Sequence, residues 1–352
     1  VQIPTVNDLF ADLRLRRPMK ILGIESSCDD AAAAVIETDA PGIAAVRASA
    51  VANQDDIHRA YGGVVPELAS RNHVVAIMPV IARALAEAGI VLADLDGIAV
   101  TRGPGLVGSL LVGLMCAKGL AQSSGLPMVG VNHIEGHLLA PLLEHRIAMP
   151  YLALVVSGGH TALFMVEDFG RYRRLGATRD DAAGEAFDKA AKLMGLGYPG
   201  GKIIDEMSRK GRTNEVKFPR ARVKGAPLDF SFSGVKTAVA VFLASEAGAA
   251  TAPEDLAASF QEAVVEMLVR PTLAAAREHG AETIALTGGV AANSRLRERL
   301  TAAAAADGRR VVAPSFKFCT DNAAMIALAG SIRLMRGERD PLTLDAEANL
   351  PL

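Results

Sequence analysis

Short unbroken apolar runs alternate with longer stretches in which apolar residues recur every three or four positions. The runs at 21–25 and 31–37, separated by the polar turn 26–30, predict two tightly joined strands, and 44–51 predicts a third. Residues 65–89 carry helical spacing and stop at Gly89. A strand at 97–101, a helix at 105–123 and a strand at 128–131 follow. Strands apolar at successive positions, alternating with helices, predict an α/β layer on a buried sheet.

The pattern restarts at residue 152. A strand at 152–156, a tight turn at 157–159 and a strand at 161–167 repeat the first pair, including its terminal glutamate. This predicts an internal duplication with two similar α/β lobes. Helices are expected around 183–194, 235–245 and 253–279. After them come a strand at 283–286, a helix at 291–306, a strand at 311–313 and a closing helix from Asp321. No low-complexity linker intervenes, so the boundary near Pro150 reads as a packed hinge. The expected division is a peripheral extension at 1–18, an N-terminal lobe at 19–150, a C-terminal lobe at 151–337 with a helical insertion at about 180–280, and a tail at 338–352.

Composition narrows the class. With 352 residues, two domains are expected; half the residues are hydrophobic and 22% charged, which excludes global disorder. Aromatics are 4% and Trp is absent, so small aliphatics must build the core. A net charge of −2 does not by itself advertise nucleic acid. Cys28, Cys116 and Cys319 are widely spaced and form no CxxC, which points to a reducing compartment. The most apolar stretch, 105–121, is broken by glycines, Ser109 and Lys118, and reads as a buried helix rather than a membrane span. The N-terminus lacks the apolar core of a signal peptide.

Among chemical motifs, HExxH, GxxxxGK[ST] and GxSxG are absent. A GxGxxG stands at 103–108, but the acid expected about 20 residues later is missing, so it reads as a turn for close helix–strand packing. His133 and His137, four apart after a strand, can reach one metal ion from one helical face. Asp321 at a helix start is either a third ligand or an N-cap. Ser157-Gly158-Gly159 forms a backbone nest suited to an anion, and Ser26–Asp30 occupies the matching turn of the first lobe. Gly200 and Gly201, with Asp188 and Asp205, offer a backbone surface and carboxylates for ribose hydroxyls. The loop 287–293 could admit a nucleoside. Together these describe a nucleotide cleft between two lobes. Arg209, Lys210, Arg212, Lys217, Arg220, Arg222 and Lys224 form a basic run suited to a phosphate backbone.

From Met19 to about Gly337 the chain resembles the bacterial tRNA N6-threonylcarbamoyladenosine transferase subunit family (TsaD), whose older name was O-sialoglycoprotein endopeptidase. The resemblance is carried by ILGIESSCDD (21–30), YGGVVPELASRNH (61–73), GPGLVGSLLVG (103–113), HIEGHLLAP (133–141), LVVSGGHT (154–161), DDAAGEAFDKAAKLMGLGYPGG (180–201), LDFSFSGVKTA (228–238), TGGVAANSRLR (287–297) and CTDNAAMIA (319–327). It implies an actin/sugar-kinase/Hsp70-like fold of duplicated ribonuclease-H-like lobes. It implies transfer of threonylcarbamoyl from threonylcarbamoyl-AMP to N6 of the adenosine 3′ to the anticodon, in tRNAs reading codons that begin with A. His133, His137 and Asp321 are implied as ligands of one divalent metal, Fe2+ or Zn2+, with Mg2+ accompanying bound nucleotide. Val155, Val156, Ser157, Gly158, Gly159, Asp188, Gly201, Asp205 and Asn293 are implied contacts of the donor. Asp29 falls at the position of an essential acid. A cytoplasmic complex with tRNA, a paralogous TsaB-like subunit and a small TsaE-like ATPase is also implied, with no membrane.

The chain departs from the family in several places. Asp30 stands where Glu is usual, Ala31 where Thr is frequent, and Arg102 where a small residue is frequent. The usual basic-aromatic ending is replaced by 344–352, so RNA contacts by the tail are not expected. Three other readings compete: a metallopeptidase, a small-molecule kinase of the same fold, and a non-catalytic binding subunit. Against the first, HExxH is missing and Glu135 faces away from the histidines on a helix. Against the second, kinases hold Mg2+ through carboxylates and phosphates. The intact HxxxH-plus-Asp set disfavours the third.

Overall fold

The computed structural model describes residues 17–352. The expected extension 1–18 therefore lies, except for its last two residues, outside the described part. The chain divides into two compact units. Of the described residues, the first comprises 17–54, Pro66–Glu144 and Asp321–Leu352; the second comprises Asp55–Val65 and His145–Thr320.

In the first unit, β1 (Met19–Glu25), β2 (Ala31–Ala40), β3 (Ile43–Ala52), β4 (Gly97–Gly103) and β5 (Met128–Asn132) form a sheet of order β3-β2-β1-β4-β5. β1 pairs antiparallel with β2 and parallel with β4, and β4 pairs parallel with β5. β1 is apolar at successive positions because both faces are covered. Leu22 and Ile24 point into a core with Ile77, Val80 and Leu114 from helices Pro66–Ala88 and Val107–Ser124. Gly23, between them, points the other way, towards Ala323 and Ala327 of the helix Ala323–Met335.

In the second unit, β6 (Tyr151–Val156), β7 (Thr161–Asp168), β8 (Arg171–Ala177), β9 (Thr283–Thr287) and β10 (Arg310–Val312) are ordered β10-β9-β6-β7-β8. Read from the other edge, this is the first sheet's order with every strand number raised by five. The senses also match: β6–β7 and β7–β8 are antiparallel, while β6–β9 and β9–β10 are parallel. The expected duplication is thus realised strand for strand. β8 escapes the sequence pattern because it is a polar edge strand, RYRRLGA, with one buried residue. Helices Ala183–Leu193, Gly200–Ser208 and Pro253–Glu278 contribute to the core, where Phe187 meets Phe260 edge to face at 5.4 Å.

The expected division is corrected at the chain's end. Asp321–Leu352 lies with the first unit, not with the lobe 151–337. The helix Ala323–Met335 is apolar round nearly its whole circumference, with Ala323–Ile332 all buried. Such a helix cannot remain on a surface. The tail after it follows the first sheet. Asp340 N–H donates to Met128 O, Glu347 N–H to Arg102 O, and Gly105 N–H to Ala348 O, at 2.9, 2.9 and 3.1 Å. The Arg102 guanidinium also reaches Glu347 Oε2 at 3.2 Å, so this departure from the family is an anchor for the tail. Among the described residues, no helix is long and apolar enough to cross a membrane.

The contact between this helix and the sheet depends on missing side chains. A Cβ on Gly330 would overlap Ala99 Cβ and crowd Val129 Cγ2. Helix propensity alone favours Gly330→Ala by about 1 kcal/mol. Overpacking costs about 1–3 kcal/mol and wins where the neighbours are two strands of one sheet. Gly330→Ala is therefore expected to lower stability by up to about 2 kcal/mol in urea unfolding. A stabilised variant would show that the helix can back away.

Candidate active site

β5 runs directly into the short helix His133–Leu139. Asn132 caps that helix, its Oδ1 accepting from the N–H groups of Ile134 and Glu135 at 2.8 and 3.4 Å. His133 and His137 follow one turn apart on its buried face, their rings 4.6 Å apart and nearly perpendicular. Gly136 lets the helix lie against Met325 and Ile326. That packing brings Asp321 to the histidines, with its Oδ1 at 3.1 Å from His137 Nε2 and 3.6 Å from His133 Nε2. The N-cap of the helix Ala323–Met335 is Asn322, which accepts from Met325 N–H at 3.0 Å, so Asp321 is not spent on capping.

Behind His133 stands a carboxylate that sequence reading assigned no role. Glu25, fully buried at the end of β1, accepts from Ser27 N–H at 2.5 Å, Thr101 Oγ1 at 2.6 Å and His133 Nδ1 at 3.0 Å. Its signal was a glutamate closing an otherwise apolar run, which burial obliges to find partners. Burial alone would lower the His133 pKa, but the Glu25 and Asp321 charges and the Glu25 hydrogen bond raise it to about 9. For His137 burial prevails and the pKa falls.

One nitrogen from each imidazole and a carboxylate oxygen lie within 4.8 Å of one another. His137 Nδ1 is buried with no hydrogen-bond partner. Two imidazoles, one carboxylate and a second carboxylate orienting one imidazole form the donor set of a catalytic divalent-metal site with open positions. The residues fit the implied ion.

Asp29 lies half-buried in the β1–β2 turn. Burial, then the charges of Asp29 and Asp321, push the Cys28 thiol well up, so both carboxylates act on the same surroundings.

In the second unit a cavity of about 500 Å3 is lined by Gly158, Asp188, Gly201, Asp205 and Asn293 among the expected donor contacts. Asp188 Oδ1 accepts from Gly200 N–H at 2.8 Å. Asp205 Oδ1 accepts from Ser294 N–H and Oγ at 3.1 and 2.8 Å, and its Oδ2 from Arg209 at 3.1 Å. Asn293 caps the helix Ser294–Ala306 through Leu296 N–H and donates to Gln261 Oε1 at 2.7 Å. Val155, Val156, Ser157 and Gly159 do not line the cavity. Both valines are fully buried in β6, and Ser157 shapes the turn, exchanging hydrogen bonds with the His160 backbone at 2.7 and 3.1 Å. Lining residues not expected at this cavity include Lys202, Glu206, Phe316 and Arg209, the last read from the sequence as part of the basic run. Lys202, Glu206 and Arg209 share with Asp205 one face of the helix Gly200–Ser208 and its cap, at spacings of three and four, a helical signal that the reading of Gly200 and Gly201 as a backbone surface left unused.

The basic run is partly spent within its own unit. Arg212 pairs with Asp255 at 2.6 Å, Arg220 with Glu266 at 2.6 Å and Arg209 with Asp205 at 3.1 Å. Lys210, Lys217, Arg222 and Lys224 are exposed and outside those pairs.

A family model described as "TsaD: tRNA N6-adenosine threonylcarbamoyltransferase" matches residues 45–328. The tRNA N6-adenosine threonylcarbamoyltransferase of Anaeromyxobacter dehalogenans (strain 2CP-C) is 55% identical over 332 residues, covering 93% of this chain and 98% of its own length. That of Syntrophotalea carbinolica (strain DSM 2380 / NBRC 103641 / GraBd1) is 51% identical over 336 residues, covering 95% and 97%. Among solved structures, full-length HypF in its phosphate- and nucleotide-bound form aligns with TM-score 0.57 at 14% identity, covering 92% of this chain and 56% of that one. The (R)-2-hydroxyglutaryl-CoA dehydratase component A of Acidaminococcus fermentans aligns with TM-score 0.54 at 14% identity, covering 91% and 98%. Such distant likeness speaks for the fold alone, which is the duplicated actin/sugar-kinase/Hsp70-like one. The near-full-length identity above 50% decides the rest: the chain belongs to the TsaD family of tRNA N6-adenosine threonylcarbamoyltransferases.

Proposed function

We propose that this threonylcarbamoyltransferase takes its acyl group from threonylcarbamoyl-AMP, using the second unit's cavity for the nucleotide and the His133–His137–Asp321 centre of the first unit for the metal. The observation that carries this reading is the buried two-histidine, one-aspartate set, oriented by Glu25, in a chain of this family. In the reaction N6 of the tRNA adenosine attacks the carbamoyl carbonyl carbon, the bond from that carbon to the phosphate oxygen breaks, and AMP leaves. The N6 proton passes to a base, a role Asp29 suits. A bound divalent ion, iron by resemblance and zinc as the other candidate, supplies Lewis acidity and open positions for oxygen ligands. Glu25 fixes the His133 ring, and Asn132 fixes the start of the helix carrying both imidazoles. Gly158 and Gly201 leave backbone room for the nucleotide, while Asp188 and Asp205 hold the cavity's walls in register. Mg2+ would accompany nucleotide phosphates.

The test is to incubate the full chain with threonylcarbamoyl-AMP, tRNA and its partner subunits, and to analyse the nucleosides by mass. Modified adenosine and released AMP are expected. Peptide cleavage, or phosphorylation of a small molecule, in place of the modified base would overturn the reading.

For tRNA, the free basic side chains decide the contact, and Arg220, held by Glu266, is set aside. The triple variant Lys217→Glu, Arg222→Glu, Lys224→Glu is expected to weaken tRNA binding at low salt. It should reduce the slope of log affinity against log salt by about 0.7–0.9 per lost phosphate contact. An unchanged slope would make this run solvated surface. A TsaB-like subunit suits the exposed apolar face of Val74, Val75, Met78, Leu111 and Met115 on helices Pro66–Ala88 and Val107–Ser124. The TsaE-like ATPase and the cytoplasmic setting rest on family resemblance.

A further inference from the structure

One aromatic ring in the second unit is exposed where exposure is unfavourable. Phe316 is 64% exposed and lines the cavity, whereas Phe187, the other lining phenylalanine, is 1% exposed and already packed edge-on against Phe260. Phe316 is also held in place. The Arg297 guanidinium lies 5.1 Å from its ring centroid and does not itself line the cavity. Arg297 is fixed in turn, donating to Ala291 O at 2.5 Å, Pro314 O at 2.8 Å and Cys319 Sγ at 3.0 Å. A cation on one face depletes the ring of electron density and leaves it a better partner for an electron-rich heterocycle on the other. A rigid, backed and solvent-facing ring in a nucleotide cavity has the properties of a stacking platform for a base.

We propose that Phe316, backed by Arg297, stacks on the adenine of the donor and makes it a specificity-determining residue for the leaving nucleotide. This rests on the reading that the cavity holds the adenylate. Pro199 and Val290, also lining, supply apolar wall, while Asp188 and Asp205 supply the polar groups.

The experiment titrates the full chain calorimetrically with AMP and with ribose 5-phosphate, which keeps sugar and phosphate but lacks the base. Phe316→Ala is expected to weaken AMP about tenfold or more and to leave ribose 5-phosphate unchanged. Phe316→Tyr should restore AMP binding. Gly201→Trp separates the two layers, because Gly201 has room for a Cβ, with the nearest atom at 3.9 Å, so the indole fills the cavity without breaking the backbone. If the wild-type chain ignores AMP, or Gly201→Trp binds it undiminished, the cavity reading falls and the platform with it. If Gly201→Trp abolishes AMP binding while Phe316→Ala does not weaken it, or weakens ribose 5-phosphate equally, the platform alone is overturned.

Discussion

Replacing His137 by alanine, alone or together with His133, is expected to drop bound metal from about one ion per chain to a small fraction. The two ligands left by the single variant, or the one left by the double, cannot hold a divalent ion against water. Transfer should fall more than about hundredfold, beyond the 10–100-fold typical of disturbing an outer partner such as Glu25. The fold should survive, but not equally in both variants. His137 is buried with an unpartnered Nδ1, and its Nε2 faces the partly exposed Asp321, which water can reach, so its loss leaves mainly a small cavity. His133 faces the fully buried Glu25, and its loss leaves a carboxylate with only Ser27 N–H and Thr101 Oγ1 to satisfy it. The single His133 variant should therefore melt lower than the single His137 variant in metal-free buffer. Elemental analysis of protein purified without a histidine tag checks the first expectation and calorimetry the second. Full metal occupancy in the double variant would remove the ligand assignment.

Asp29→Asn should reduce single-turnover transfer by about 10²–10⁴, the usual worth of a positioned base. Asparagine keeps the size and one acceptor oxygen but loses charge and basicity. Donor binding should be unchanged or slightly tighter, because one negative charge is removed from the surroundings that Asp29 shares with Asp321. Normal transfer with a lowered melting temperature would instead make Asp29 a turn residue. Each role moves a different measurement, so the pair discriminates.

The duplicated strands and the paired histidines were legible because each rests on local pattern. β1 and β6 are unbroken apolar runs, and two histidines four apart on a helix after a strand need no knowledge of the rest of the fold. What stayed hidden depends on contacts distant in sequence. Glu25 orients His133 only because β1, β4 and the helix after β5 converge on it. Arg220 looked like a phosphate contact until Glu266, 46 residues away, claimed its guanidinium. Phe316 drew no attention in the sequence. Its exposure inside a cavity is a property of the packed unit, which no periodicity encodes. The chain's last stretch was misassigned for a related reason: an apolar helix shows that it must be buried, not against which sheet.

That return of the last stretch has a consequence for synthesis. During translation the strands of the first unit and both histidines emerge early, but Asp321 and the helix that covers Gly23 and Ala99 emerge only after the entire second unit. A ribosome-bound chain therefore carries an uncovered sheet face and an incomplete His–Asp cluster for most of its elongation, while the later unit has every strand it needs. Any product truncated before Asp321 would retain HxxxH without the carboxylate between the rings, and would present Gly23 and its neighbours as bare apolar surface. Completion of the His–Asp cluster thus comes last, and premature termination yields a species recognisable to chaperones and proteases by its exposed sheet.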